Sequence, residues 1–164
     1  MRAVLVAVLA LGLVALPWGC SVGEPPGPPR VGDSLTLRGP HGERVQVRLR
    51  RVIDPLTGGR DPVSPGLRRI GIELTLHNVG HVTLKQAPAD GAEISTTGVE
   101  EPQLALVTSG VCGGSFAGAV VLDPEARQAG CIPFEVGRSA RLRSFSFRLA
   151  PSPAARPGRW RLGG

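Results

Sequence analysis

From Val31 onward, apolar and polar residues alternate with a period of two rather than 3.6. Leu35 and Leu37 alternate with Thr36 and Arg38. After Gly39-Pro40-His41-Gly42, Val45, Val47 and Leu49 alternate with Gln46, Arg48 and Arg50. The pattern predicts two strands joined in a hairpin. Arg50-Arg51 followed by Val52-Ile53 breaks the phase, which predicts a bulge or a strand end. Residues 54–66 hold Pro55, Gly58, Gly59, Pro62, Pro65 and Gly66, a composition no strand survives, so a long loop is expected there. The clearest strand follows. Ile70, Ile72, Leu74 and Leu76 point one way, and Gly71, Glu73, Thr75 and His77 the other. Asn78-Val79-Gly80 signals a turn, after which Val82-Thr83-Leu84 is expected to begin the return.

The remainder has the same character. A short strand is expected over 92–96, and further apolar runs lie at 104–108 and, interrupted by glycine, at 116–122. Residues 123–130 are the one candidate helical turn, bounded by Pro124 and Gly130. Ile132, Phe134 and Val136 then alternate, as do Phe145, Phe147 and Leu149, and Trp160 and Leu162 alternate with arginines. Strands with a single apolar face pair antiparallel and bury those faces against each other. The expected fold is all-β: an immunoglobulin-like antiparallel β-sandwich of about seven to nine strands, occupying residues 31–164.

Composition narrows the function classes. The chain has 164 residues, with 23 glycines and 16 prolines, which favours short strands and turns over long helices. Aromatic residues are 4% and none is Tyr, which argues against an aromatic platform for sugars or nucleobases. The net charge is +6, and every basic residue but Lys85 is Arg. Such a balance suits anionic partners. The arginines are dispersed, however: Arg48, Arg50, Arg51, Arg68, Arg69, Arg138, Arg141, Arg143, Arg148, Arg156, Arg159 and Arg161 read as solvated outward faces of strands.

The amino terminus changes the picture more. Arg2 precedes an apolar run over 3–16, the pattern of an export signal and too short for a stable membrane span. The run ends at Leu16-Pro17-Trp18-Gly19-Cys20. A small residue directly before Cys resembles the lipobox of bacterial lipoproteins, although Pro17 and Trp18 stand where small or aliphatic residues are usual. The resemblance implies a signal peptide over 1–19 and a lipidated Cys20. The alternative is an ordinary secretory signal or an uncleaved anchor. With Cys20 lipidated, Cys112 and Cys131 remain as a pair in an oxidising space, where a disulfide persists. A metal site is the weaker alternative for them, because neither has a ligand neighbour. Residues 20–30, with Pro25, Pro26, Pro28 and Pro29, form a stiff extended tether. A membrane anchor on the outer face of the cell membrane follows, with secretion as the alternative. An exported chain would not meet nucleic acid as its usual partner.

Three short motifs carry a second resemblance. Val31-Gly32-Asp33, the strand and turn ending Asn78-Val79-Gly80, and Gly130 with Phe134 and Val136 are similar to the "GD", "N-x-G" and "G-x-x-x-F-x-V" pattern of the telokin-like, immunoprotective-extracellular β-sandwich family. Its members are small domains of secreted proteins and lipoproteins of Gram-positive bacteria. The resemblance spans about residues 31–150. It implies an immunoglobulin-like fold, no established biochemical activity and no catalytic residues.

No constellation in the sequence builds an active site. His77 and His81, with His41 as an imaginable third ligand, are expected to be exposed turn histidines rather than a metal site. Glu100-Glu101 and Asp123 with Glu125 lie in expected loops, with nothing to hold two carboxyls across a cleft. Gly113-Gly114-Ser115 is not a nucleophile elbow, and phosphate-binding glycine loops are absent. No catalytic residue, metal or cofactor is therefore assigned. The expected function is a non-catalytic binding or interaction module of the cell envelope, contacting a protein, peptide or envelope polymer through loops 54–66 and 87–103. The first alternative is a basic adaptor docking on anionic lipid or polymer through its arginines. The second is an envelope enzyme with a loop-borne site.

Overall fold

The computed structural model describes residues 27–57, 62–113, 116, 118–150 and 155–163. The signal, Cys20 and most of the tether lie outside the described residues. The described chain is all-β, with a single 3₁₀ turn at Pro88–Gly91. Ten strands are described: β1 (Ser34–Arg38), β2 (Arg44–Ile53), β3 (Leu67–Asn78), β4 (Leu84–Gln86), β5 (Ala92–Thr96), β6 (Gln103–Leu104), β7 (Val120–Leu122), β8 (Arg127–Gly137), β9 (Leu142–Phe147) and β10 (Gly158–Arg161).

They form a sandwich. One layer is the five-stranded sheet β1-β2-β3-β8-β6. Facing it are the three-stranded β10-β9-β5 and the two-stranded β4-β7. Every strand pairing is antiparallel, and one isolated parallel bridge joins Arg30 to Arg161. The apolar stripes meet in one core. Val45, Val47 and Leu49 of β2, Ile70, Ile72, Leu74 and Leu76 of β3, and Ile132, Phe134 and Val136 of β8 pack with Phe145, Phe147, Leu149 and Trp160 of the opposite layer. Phe145 and Trp160 sit with ring centroids 5.9 Å apart. Burial of these faces supplies the main driving force of folding.

Several local expectations and the structure coincide. β1 and β2 form the hairpin across residues 39–43. The phase break is a β-bulge: Leu49 opposes Leu74, but Arg51 rather than Arg50 opposes Glu73. Two expectations are corrected. Residues 123–130 are not a helical turn. The Ala126 amide bonds the Asp123 carbonyl at 3.0 Å in a tight turn, with Pro124 and a left-handed Glu125 (φ 64°) at its centre. Arg127 to Gly130 already belong to β8 and pair with β3. Long-range pairing wins because Pro124 and Gly130 leave no room for a cooperative helix. The Asn78 turn also does not return along β3, whose two sides are taken by β2 and β8. The chain instead crosses to the other layer, where β4 pairs with β7.

Asn78 fixes that crossing. Its side chain is fully buried; the amide nitrogen donates to the Val82 and Leu122 carbonyls, both at 2.9 Å, and the amide oxygen accepts from the Gly80 amide at 3.0 Å. The N-x-G motif is thus a buried Asx turn that ties the end of β3 to the end of β7.

Candidate functional site

Alternation along the five-stranded sheet leaves one face outside the core. Register sets its rows. Ser34, Arg48, Thr75 and Ala129 lie in one row, and Thr36, Gln46, His77 and Arg127 in the next. The bulge then adds a basic residue to this face. Arg50 is the extra residue of β2, and in a bulge consecutive side chains lean to the same side. Arg51 is consumed by Glu73, with two bonds of 2.8 Å. Those bonds hold the Glu73 carboxyl below the usual carboxylate range; partial burial opposes the shift, and the charges of Arg51 and Arg50 add to it. Arg50 itself makes no ion pair among the described residues.

Arg50 therefore faces a depression of about 190 Å³ lined also by Ser34, Gln46, Arg48, Thr75, His77 and Arg127. Arg48 is oriented there by its Nε, which donates to the Gly32 carbonyl at 2.9 Å. No carboxylate lines the depression. Of the acids beside this face, Glu73 is bonded to Arg51, and the exposed Glu125 lies 3.7 Å from His77 Nε2. Three guanidiniums, two hydroxyls and an amide around one hollow are suited to an anionic group, because guanidinium forks match carboxylate and phosphate oxygens.

Beside this face, Cys112 and Cys131 are joined by a disulfide, with Cα atoms 5.1 Å apart. Cys131 is on the outward side of β8, opposite Glu73. The bridge lies over Gly71, where a Cβ would come within 2.7 Å of the Cys112 sulfur. Four residues on, Phe116 is in the core, its ring against Gly130, where a Cβ would be 2.6 Å from the ring carbons. Cys112 and Phe116 thus lie against opposite faces of β8, the first held outside by the disulfide and the second inside with its ring on Gly130. Val111 lies near Arg50 and Ala129, beside the basic face.

The other sequence-derived candidates are dispersed. His41 and His81 are exposed in turns, and His77 alone joins the basic face. Among the described residues no three His, Cys, Asp or Glu side chains are grouped to hold a metal ion. Asp123 accepts from the Thr83 hydroxyl at 3.0 Å. The described part of loop 54–66 is tied down. Arg68 binds Asp54 through two nitrogens at 2.8 and 3.0 Å, and Arg69 reaches the Pro62 carbonyl and Glu135, which also accepts from Ser64. Loop 87–103 contributes Val99, fully exposed, and Glu101. Arg127 is the residue that sequence reasoning misses, because it sits inside the expected helical turn. Its signal is the odd-position phase it shares with Ala129 and Cys131.

Comparison with solved structures finds the same fold in two proteins of Bacillus subtilis. One is the putative lipoprotein YcdA, with a TM-score of 0.57 and 11% identity over 82% of this chain and 39% of that one. The other is the YjhA protein, with a TM-score of 0.54 and 10% identity over 82% of this chain and 99% of that one. The match thus spans well under half of YcdA and nearly all of YjhA. No protein-family model and no curated protein sequence matches the chain.

Proposed function

We propose that this chain is a non-catalytic binding module of the cell envelope, exported by residues 1–19, anchored through lipid on Cys20, and engaging an anionic envelope component on the outer face of its five-stranded sheet. One observation carries the reading: Arg48, Arg50 and Arg127 converge with the Ser34 and Thr75 hydroxyls on a hollow that no carboxylate lines. The resemblance of three short motifs to the telokin-like family and the lipobox resemblance support the anchored, extracytoplasmic setting, and the fold shared with a putative lipoprotein is compatible with it. A rigid sandwich on a proline-rich tether presents such a face away from the bilayer. The ligand class is a polymer carrying phosphate or carboxylate.

The test is calorimetric titration of the full chain in nonionic detergent with polyphosphate of defined length. The Arg48→Ala, Arg50→Ala, Arg127→Ala triple variant is expected to weaken binding at least tenfold. A charge-matched triple variant in the opposite layer, at Arg141, Arg159 and Arg161, is expected to weaken it by no more than about twofold. Equal losses in the two variants would show attraction by net charge alone and overturn the reading. Binding at the site should also weaken with added salt.

A further inference from the structure

On one side of the sandwich the edge strands β1 and β10 lie next to each other without a hydrogen-bonded ladder between them. In β1 the bonds to β2 are made by alternate residues. The Leu49 amide bonds the Asp33 carbonyl and the Gly39 amide bonds the Glu43 carbonyl. With the register of the pair, the ladder residues are therefore Asp33, Leu35, Leu37 and Gly39. Ser34, Thr36 and Arg38 turn their amides and carbonyls outward, and nothing among the described residues bonds them. The same holds for Arg159 on β10. The Leu162 amide bonds the Arg143 carbonyl, so Gly158 and Trp160 face β9 and Arg159 faces out.

Hydrogen bonds tie the two edges together at one end. There the Arg161 amide bonds the Pro29 carbonyl, and Trp160 Nε1 donates to the Asp33 carbonyl at 3.1 Å. Beyond that end a groove of about 520 Å³ runs along the edge, with Leu35, Leu37, Pro157 and Gly158 in its lining. Gly158 lets the layers close here, since a Cβ would lie 2.8 Å from Leu37 Cδ2. Arg38 and Arg156 also line it; both are exposed, without an ion-pair partner among the described residues, and no acidic residue lines the groove. Sheet edges are usually blunted by proline, inward charge or shortness. β6, at the far edge of the same sheet, is two residues long. β1 has five residues, no proline and a regular alternation.

We propose that the β1 edge is a strand-addition site for an extended acidic peptide segment of a partner protein. The segment continues the five-stranded sheet through the outward groups of Ser34, Thr36 and Arg38. Its alternate apolar side chains lie over Leu35, Leu37 and Pro157, and its carboxylates pair with Arg38 and Arg156. Main-chain bonds give such recognition its strength, and the side chains its selectivity. This site adjoins the basic face at Ser34, which borders both, but uses none of Arg48, Arg50 and Arg127.

The probe is a labelled peptide of alternating valine and threonine flanked by glutamates, titrated by fluorescence anisotropy into the full chain in nonionic detergent. Arg38→Ala with Arg156→Ala is expected to weaken it at least tenfold, and the Arg48, Arg50, Arg127 triple variant to leave it within about twofold. Thr36→Pro removes an outward amide that the β1–β2 ladder does not use, and is expected to abolish binding. Should that variant fail to fold, a peptide with alternate backbone amides methylated tests the same bonds on unaltered protein and is expected not to bind. Equal binding of the methylated and parent peptides overturns the proposal. So does a loss confined to the Arg48, Arg50, Arg127 variant. Self-association of the full chain that Arg38→Ala with Arg156→Ala abolishes would assign the edge to a second copy instead, and would also overturn it.

Discussion

Replacing Asn78 by alanine probes the crossing between the layers. The side chain makes three bonds at 2.9, 2.9 and 3.0 Å and is 0% exposed. Alanine leaves the Val82 and Leu122 carbonyls and the Gly80 amide without that partner. Each lost bond costs about 1 kcal/mol net, and more where the orphaned group stays dry, so the sum is about 3–4 kcal/mol. For a domain of this size that corresponds to a fall of roughly 10–15 °C in Tm. Asn78→Asp separates the bonds by direction. The carboxylate still accepts from Gly80 but faces two carbonyls it cannot donate to, within a buried site. Aspartate is therefore expected to be worse than alanine at pH 7, and to recover in part as acid protonates it. Urea unfolding followed by far-UV circular dichroism measures both. A cost under about 1 kcal/mol for alanine, or aspartate better tolerated than alanine, would refute the assigned bonding.

Other outcomes follow from the same structure. Replacing both Cys112 and Cys131 by serine opens a loop of 19 residues' separation and should cost about 3 kcal/mol in urea unfolding. Glu125 is held at φ 64° in a tight turn, so Glu125→Gly should stabilise by about 0.5–1 kcal/mol in the same assay. Acid should destabilise the fold in a defined window. Glu73, bonded to Arg51, titrates below its ordinary 4.5 in the folded chain. Glu135 does too: burial pushes it up, but the bonds from Ser64 and Arg69 outweigh that. Because the folded values are depressed, the stabilisation is complete above pH 4.5 and fades as pH falls through them. The urea midpoint should hold from pH 7 to 5 and drop below 4.5, and Glu73→Gln should flatten part of that drop.

The fold was legible where the signal is local and periodic. Ile70 to Leu76 and Ile132 to Val136 show their buried faces by alternation alone, and Arg50-Arg51 shows the bulge by breaking it. Partner choice was not legible. Asn78-Val79-Gly80 announces a turn, but whether the next strand returns or crosses depends on β8, far along the chain, occupying the free side of β3. The apolar run at 104–108 misleads for a related reason: Leu104 and Leu106 are exposed at the sheet edge, and only Val107 is buried. The basic face was illegible as a site. Alternation puts Arg48 outward, but only the register of β2 on β3 and of β3 on β8 brings Arg127 and Thr75 beside it. Gly71 was visible as a glycine inside a strand pattern and Gly130 as the end of an expected helical turn, yet the disulfide and the Phe116 ring that require them come from a distant loop.

The claim that an anionic group settles in the hollow of the five-stranded sheet is tested most directly at the arginines themselves. Side-chain Nε–H resonances of the full chain, recorded while inorganic pyrophosphate is added, report each guanidinium separately. The largest shifts are expected at Arg48, Arg50 and Arg127, saturating together, with Arg51 held on Glu73 and little changed. Shifts spread evenly over the exposed arginines of both layers, without saturation, would contradict the account.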